Sequence, residues 1–218
     1  EDYIAKYEKG TDFPWRIICI ANSDHELADN DMVYRLATPN QIEDMSWIKP
    51  GKVAWEWWND MNLTGVDFRT GVNNDTYKYY IDFAAKNALE YIILDEGWAE
   101  SGNSDLTKTI KEIDLKELVE YGRNKNVGLI LWAGYYVFDR DMEMLCKHYS
   151  EMGIKGFKVD FMDRDDQLMV DFHHRAARTT AKYKLLIDYH GTYKPTGLHR
   201  TYPNAITFEA VQGLEHMK

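Results

Sequence analysis

Six short apolar runs recur along this chain with helix-like stretches between them, and that alternation limits the fold more than any other feature. The runs are Val53–Trp58, Tyr91–Leu94, Val127–Trp132, Gly156–Phe161, Leu185–Tyr189 and Ala205–Phe208, one of them weaker than the rest. Most are apolar almost throughout, as parallel strands covered on both faces are. Between them, the segment 75–89 places Tyr79, Phe83 and Ala84 on one helical face. Leu115, Leu118 and Val119 mark a second helix, with Asp114 in N-cap position. Met142, Leu145 and Tyr149 mark a third that Gly153 closes, and a fourth runs from about Asp166 to Ala181.

Strand and helix alternating every ~20 to 40 residues is the pattern of β/α units with right-handed crossovers. The class is therefore α/β, as a doubly wound sheet or a TIM-type (β/α)8 barrel. No G-x-G-x-x-G turn follows any run, which counts against a dinucleotide site. Asp95-Glu96-Gly97-Trp98, Asp160, His190 and Glu209 all fall at strand C-termini, where barrels place their chemistry. Six strands do not close an eight-stranded barrel. The expectation is thus an incomplete barrel of about six units over residues 51–218, part of a longer protein. Residues 1–50, acidic and polar around Asp24–Asp31, read as a lead-in segment.

The chain has 218 residues and a formal net charge of −10, which argues against nucleic acid as a partner, since phosphate binding needs a basic surface. No run approaches the ~18 apolar residues of a membrane span. Glu1-Asp2-Tyr3 does not open a secretory signal. Cys19 and Cys146 form no disulfide framework and have no Cys or His at metal-ligand spacing, so they read as plain thiols. Aromatic residues make up 14% of the chain, which suits either a large aromatic core or a pocket walled by rings, as sugar faces prefer.

The run Gly156–Phe161 carries the most chemistry. Side chains alternate along a strand, so Lys158 and Asp160 share a face. Opposite charges in an otherwise buried strand must neutralise each other or meet a ligand. Further acids follow at Glu209 and Glu215. Several of these groups have plainer readings. Asp163 and Asp166 are good helix caps, whereas Asp160 still lies within the apolar run. His190 suits a buried hydrogen-bonded histidine as well as a functional one, and His173 and His174 suit a structural or solvated helix face. Glu56, among Trp55, Trp57 and Trp58, reads as a core-edge acid neutralised by Lys52 or Arg69. The functional reading rests on coincidence of place, because Lys158, Asp160, Asp95, Glu96, His190, Glu209 and Glu215 would converge on one mouth. Two carboxyls flanking a sugar perform glycoside hydrolysis. One must stay ionised, which an adjacent Lys158 favours, while the other must hold its proton near neutrality.

These residues resemble a known family. Lys158-Val159-Asp160 ending the fourth strand and Leu94-Asp95-Glu96-Gly97-Trp98 ending the second are similar to the clan of α-galactosidases and related α-glycosidases. More closely, the segments 51–60 (GKVAWEWWND) and 208–215 (FEAVQGLE) resemble glycoside hydrolase family 97, and the likeness runs from about Phe13 onward. The resemblance implies a catalytic barrel set between a large N-terminal β-sandwich and a small C-terminal β-domain, in a periplasmic or secreted protein. It implies Asp160 as nucleophile, Glu215 as general acid/base, and Glu209 as a ligand of one calcium ion. Lys158, Glu96, Trp98, His190 and Trp57 are then expected to bind an α-linked oligosaccharide. The family's inverting branch carries a base glutamate after the fifth strand, where this chain has Asp188-Tyr189-His190-Gly191. The retaining branch, whose members are α-galactosidases, is the better match. The alternatives are an inverting α-glucosidase of the same family and a carbohydrate-binding fragment without turnover. A metal-dependent barrel hydrolase fits poorly, because no His-x-His stands at a strand end.

Overall fold

All six runs form strands in the structure, a computed structural model that describes residues 5–10, 13, 15–100 and 105–217. Glu1, Asp2 and Tyr3 lie outside the described residues. The strands are β1 Val53–Trp55, β2 Tyr91–Leu94, β3 Gly128–Gly134, β4 Gly156–Asp160, β5 Leu186–Tyr189 and β6 Ala205–Phe208. They make one parallel sheet in the order β1-β2-β3-β4-β5-β6. A sheet that runs in sequence order has no point where the winding reverses, so the doubly wound alternative falls.

Among the described residues up to Pro50 lie two short helices, α1 Asp24–Ala28 and α2 Met32–Leu36. The helices between the strands are α3 Asn74–Lys86, α4 Leu115–Asn124, α5 Tyr135–Met152, α6 Gln167–Lys182 and α7 Leu198–Thr201. Asp114 caps α4 by accepting from Glu117 N–H, and Asp166 caps α6 by accepting from Met169 N–H. Gly153 ends α5 at φ 106°, a left-handed turn that a side chain strains to adopt.

One face of the sheet is covered by these helices, where Ile92, Leu94, Leu129, Leu131, Phe157 and Ile187 join the main core. Alternation gives the other face a layered composition. Its first layer is apolar, with Ile93, Ile130 and Leu186 clustered under Trp47, Ile48, Trp55 and Ile206. Two residues further along, Trp132, Lys158 and Asp188 stand in mutual register. The next step brings Asp160, opposite Gly134, with His190 and Glu209 just past β5 and β6. The sheet curls around this face. Lys158 Nζ of β4 sits 4.3 Å from the Trp55 ring centroid of β1, although three strand spacings in a flat sheet come to ~14 Å.

Several expectations need correction. The buried face of α3 is Tyr77, Tyr80, Ile81 and Ala84, while Tyr79 and Phe83 are 41% and 47% exposed. Both sets have helical spacing, and packing on β1 and β2 selects the first. The Val53–Trp58 run is strand only to Trp55, since Glu56–Asn59 wind into a 3-10 turn that ends with Asp60 and Met61 at positive φ. Asp163 caps no helix. It sits in the left-handed region at φ 48°, and its N–H reaches back to Gly191 carbonyl oxygen. Glu56 forms no ion pair with Lys52 or Arg69 among the described residues.

Candidate active site

The charged layer is built around Lys158. Its ammonium is 2.7 Å from Asp95 Oδ2 and 3.5 Å from Asp160 Oδ2, and the Lys158 and Asp95 side chains are 3% and 4% exposed. Asp95 is therefore the partner that makes a buried lysine tolerable. Trp55 adds its indole N–H to the same Asp95 Oδ2 at 2.6 Å and its ring face to the Lys158 charge. Asp95 Oδ1 accepts from the Glu96 backbone N–H, and the Glu96 side chain is exposed at the end of β2.

Asp160 stands one step above this pair. Its Oδ1 accepts from Phe161 N–H at 2.8 Å and its Oδ2 from Trp132 Nε1–H at 3.2 Å. Phe161 adopts φ 66°, and its ring packs edge-on against Trp132. Backbone strain of this kind persists only where surrounding contacts hold it. Gly191 closes the far side. A Cβ there would lie 3.1 Å from Asp163 Oδ1 and 3.4 Å from Asp160 Oδ1, at a φ of 58° that also favours glycine.

His190 links the rim. Its Nε2 is 3.3 Å from Asp188 Oδ2 and its Nδ1 is 3.3 Å from Glu209 Oε2. Burial alone would lower its proton affinity, but the hydrogen bond and charge of Asp188, with Glu209 beyond, raise it overall. Asp188 is in turn held by the Thr207 hydroxyl, and Glu209 Oε2 by Gly191 N–H at 3.2 Å. Asp160, His190 and Glu209 each bring one ligand-type atom within 4.8 Å of the others. A cleft of about 510 Å³ opens beside Glu209, lined also by Asp163, Gly191, Thr192 and His216.

Glu215 lies in the 3-10 turn Leu214–Met217, and its Oε2 accepts from Trp57 Nε1–H at 3.1 Å. Trp57, after β1, thus touches Glu215, after β6, across the open edges of the sheet. Of the expected site residues, Trp98 lies in the core rather than on the charged face. It is fully buried, donates its indole N–H to Trp132 carbonyl oxygen, and packs edge-on against Tyr149. Core packing against α5 draws it inward from the end of β2. His173 proves structural, buried between Met169 carbonyl oxygen and the Thr192 hydroxyl, and burial lowers its pKa to about 4. Sequence reasoning passed over Trp55, Trp132 and Asp188. The two-residue step from Leu186 through Asp188 to His190 would have found the last of these, and the same step from Ile130 would have found Trp132.

The family model for glycoside hydrolase 97 matches residues 55–211. The chain belongs to glycoside hydrolase family 97. Similar proteins include one of Bacteroides thetaiotaomicron described as a retaining alpha-galactosidase, 64% identical over 218 residues, all of this chain and 33% of the relative. A probable retaining alpha-galactosidase of Streptomyces bingchenggensis is 30% identical over 207 residues, 93% of this chain and 32% of that protein. The chain therefore spans about a third of the length of the curated relatives it matches. Among solved structures, a family 97 enzyme from Pseudoalteromonas sp. strain K8 in complex with acarbose aligns with a TM-score of 0.77. It shares 28% identity, over 87% of this chain and 34% of the other.

Proposed function

We propose that this chain supplies the catalytic face of a retaining α-galactosidase that acts on terminal α-linked galactosyl groups by double displacement. The observation that carries the reading is the placement of two carboxyls. Asp160 is held at the end of β4 by Trp132, Lys158 and its neighbour's N–H, and Glu215 is held from β1 by Trp57. Asp160 attacks the anomeric carbon while Glu215 gives its proton to the departing oxygen. Glu215 then takes a proton from water, whose oxygen displaces Asp160 and restores both groups. The relatives described as retaining alpha-galactosidases support galactose as the sugar. Acarbose in the neighbouring structure supports an α-linked oligosaccharide as the substrate class. The curled, sequentially ordered sheet supports a (β/α)8 barrel, of which these strands would be six.

The Glu209 carboxylate suits a hard cation such as calcium as one oxygen ligand. The His190 imidazole, bonded on both nitrogens, does not, so further oxygen ligands would come from other parts of the protein. Bound there, calcium would supply positive charge beside the sugar site.

The deciding experiment is proton NMR of the full-length protein turning over an aryl α-galactoside and an aryl α-glucoside. Release of galactose with the α-anomer appearing first is expected. The β-anomer appearing first, or release of glucose alone, would overturn the reading.

A further inference from the structure

Glu56 is a carboxyl that the double displacement leaves unused. It stands just past β1, 1% exposed. Its Oε1 accepts from Asp95 backbone N–H at 2.7 Å and from the Tyr77 hydroxyl at 2.8 Å. Among the described residues its buried Oε2 has no hydrogen-bond partner. A half-satisfied buried carboxyl is costly, and an apolar side chain of the same length would fill the volume without that cost. What the acid adds is an acceptor. β1 ends at Trp55, whose register partner is Ile93, and Glu56 Oε1 takes the place of a strand carbonyl for the Asp95 N–H beyond it.

Asp95 passes this placement on. Its Oδ2 receives Lys158 Nζ and Trp55 Nε1, and Lys158 Nζ also lies 3.5 Å from Asp160 Oδ2. We propose that Glu56 is a positioning residue: by holding the Asp95 backbone it fixes where the Asp95 carboxylate meets Lys158, and so how much of the Lys158 charge faces Asp160. The inference rests on reading Asp160 as the nucleophile. The titratable groups facing Glu56 are Tyr77 and Tyr80 of α3 and Asp95 of the β2 end, with Lys158 beyond Asp95. Burial pushes the Glu56 carboxyl up to about 7. Below neutrality it therefore holds Asp95 without setting a second negative charge beside it.

The Trp55 indole reports the position of Asp95, because it donates to the same Oδ2 as Lys158. The test uses the full-length protein with ¹⁵N-labelled tryptophan, the Trp55 signal assigned by its loss in Trp55→Phe, alongside kinetics on an aryl α-galactoside. Glu56→Ala is expected to move the Trp55 signal and lower kcat/KM on the order of 100-fold, mainly through kcat. Glu56→Gln keeps the Oε1 acceptor and should bring both back to within a few-fold of wild type. If Glu56→Ala does not fold, Tyr77→Phe takes its place. That change removes one of the two donors on Oε1, and it should shift the same signal and lower kcat several-fold. A Trp55 signal and kcat/KM unchanged in the Ala variant, or in Tyr77→Phe standing in for it, would overturn the proposal. So would a Gln variant as impaired as Ala. A wild-type protein that cleaves no α-galactoside overturns the proposed function instead, and the Trp55 signal still decides the role of Glu56.

Discussion

Asp160 is approached from three directions, each by a different kind of neighbour: a ring N–H and the next backbone amide donate to it, and a lysine charge lies beside it. That arrangement predicts a specific chemical rescue. Asp160→Gly should abolish hydrolysis, and azide should restore turnover of an activated aryl α-galactoside as the β-galactosyl azide, since the anion fills the space the carboxylate left. An α-azide would point to another nucleophile, with Asp163 the first to examine. Glu56 makes a prediction about stability. With its carboxyl pushed from an ordinary 4.5 to about 7 by burial, the folded protein keeps a proton that the unfolded chain has released within that window. Its contribution is therefore intact below pH 4.5 and falls by about 3 kcal/mol as pH rises through 7. Urea unfolding of Glu56→Gln and wild type at pH 4.5 and pH 8 should show Gln gaining by about that amount at the higher pH. A difference independent of pH would refute it. Among single residues, the sequence made Asp160, Lys158 and Glu209 visible because strand alternation and strand-end position are local. It hid the true partner of Lys158, because Asp95 reaches it across an intervening strand. It also misled about Trp98, whose direction depends on how α5 packs.

At the scale of elements, the strands were legible because burial on both faces forces continuous apolar runs, and their ends erred by at most three residues. Helix caps were legible where the side chain acts within its own turn, as at Asp114 and Asp166, and not where a loop turns left-handed, as at Asp163. The face of α3 was not, since two helical phases offered comparable apolar residues and only the sheet beneath decides between them. Asp114 also ties neighbouring helices together, because Asn74 at the start of α3 accepts from the Asp114 N–H and donates to Glu117. Asp114→Ala removes the cap and should lower stability by about 1 kcal/mol with no change in KM. Thermal unfolding and kinetics on one sample check both halves. An unchanged midpoint would mean that the Asn74 bonds alone hold the start of α4.

Across the whole molecule, the open edges of the sheet lean toward each other over the charged face, and the Trp57–Glu215 hydrogen bond spans them. The curl brings the acids together, and it was legible only indirectly, through the sequential β/α pattern. Glu209 on the same rim predicts dependence on calcium in the complete protein: chelation should reduce activity and added calcium should restore it, measured by galactose release. The edge-spanning bond makes the sharper prediction. Trp57 gives its indole N–H to the carboxyl proposed to protonate the leaving group, so it should matter in proportion to how much the leaving group needs that proton. Trp57→Phe keeps an aromatic ring and removes the donor. Hydrolysis of an α-galactosyl oligosaccharide should then fall about tenfold in kcat/KM, part of the 10²- to 10⁴-fold that general acid catalysis supplies. Cleavage of a dinitrophenyl α-galactoside, whose leaving group departs unprotonated, should change much less. Equal losses on both substrates would show that Trp57 serves sugar binding alone and that Glu215 is oriented by something else.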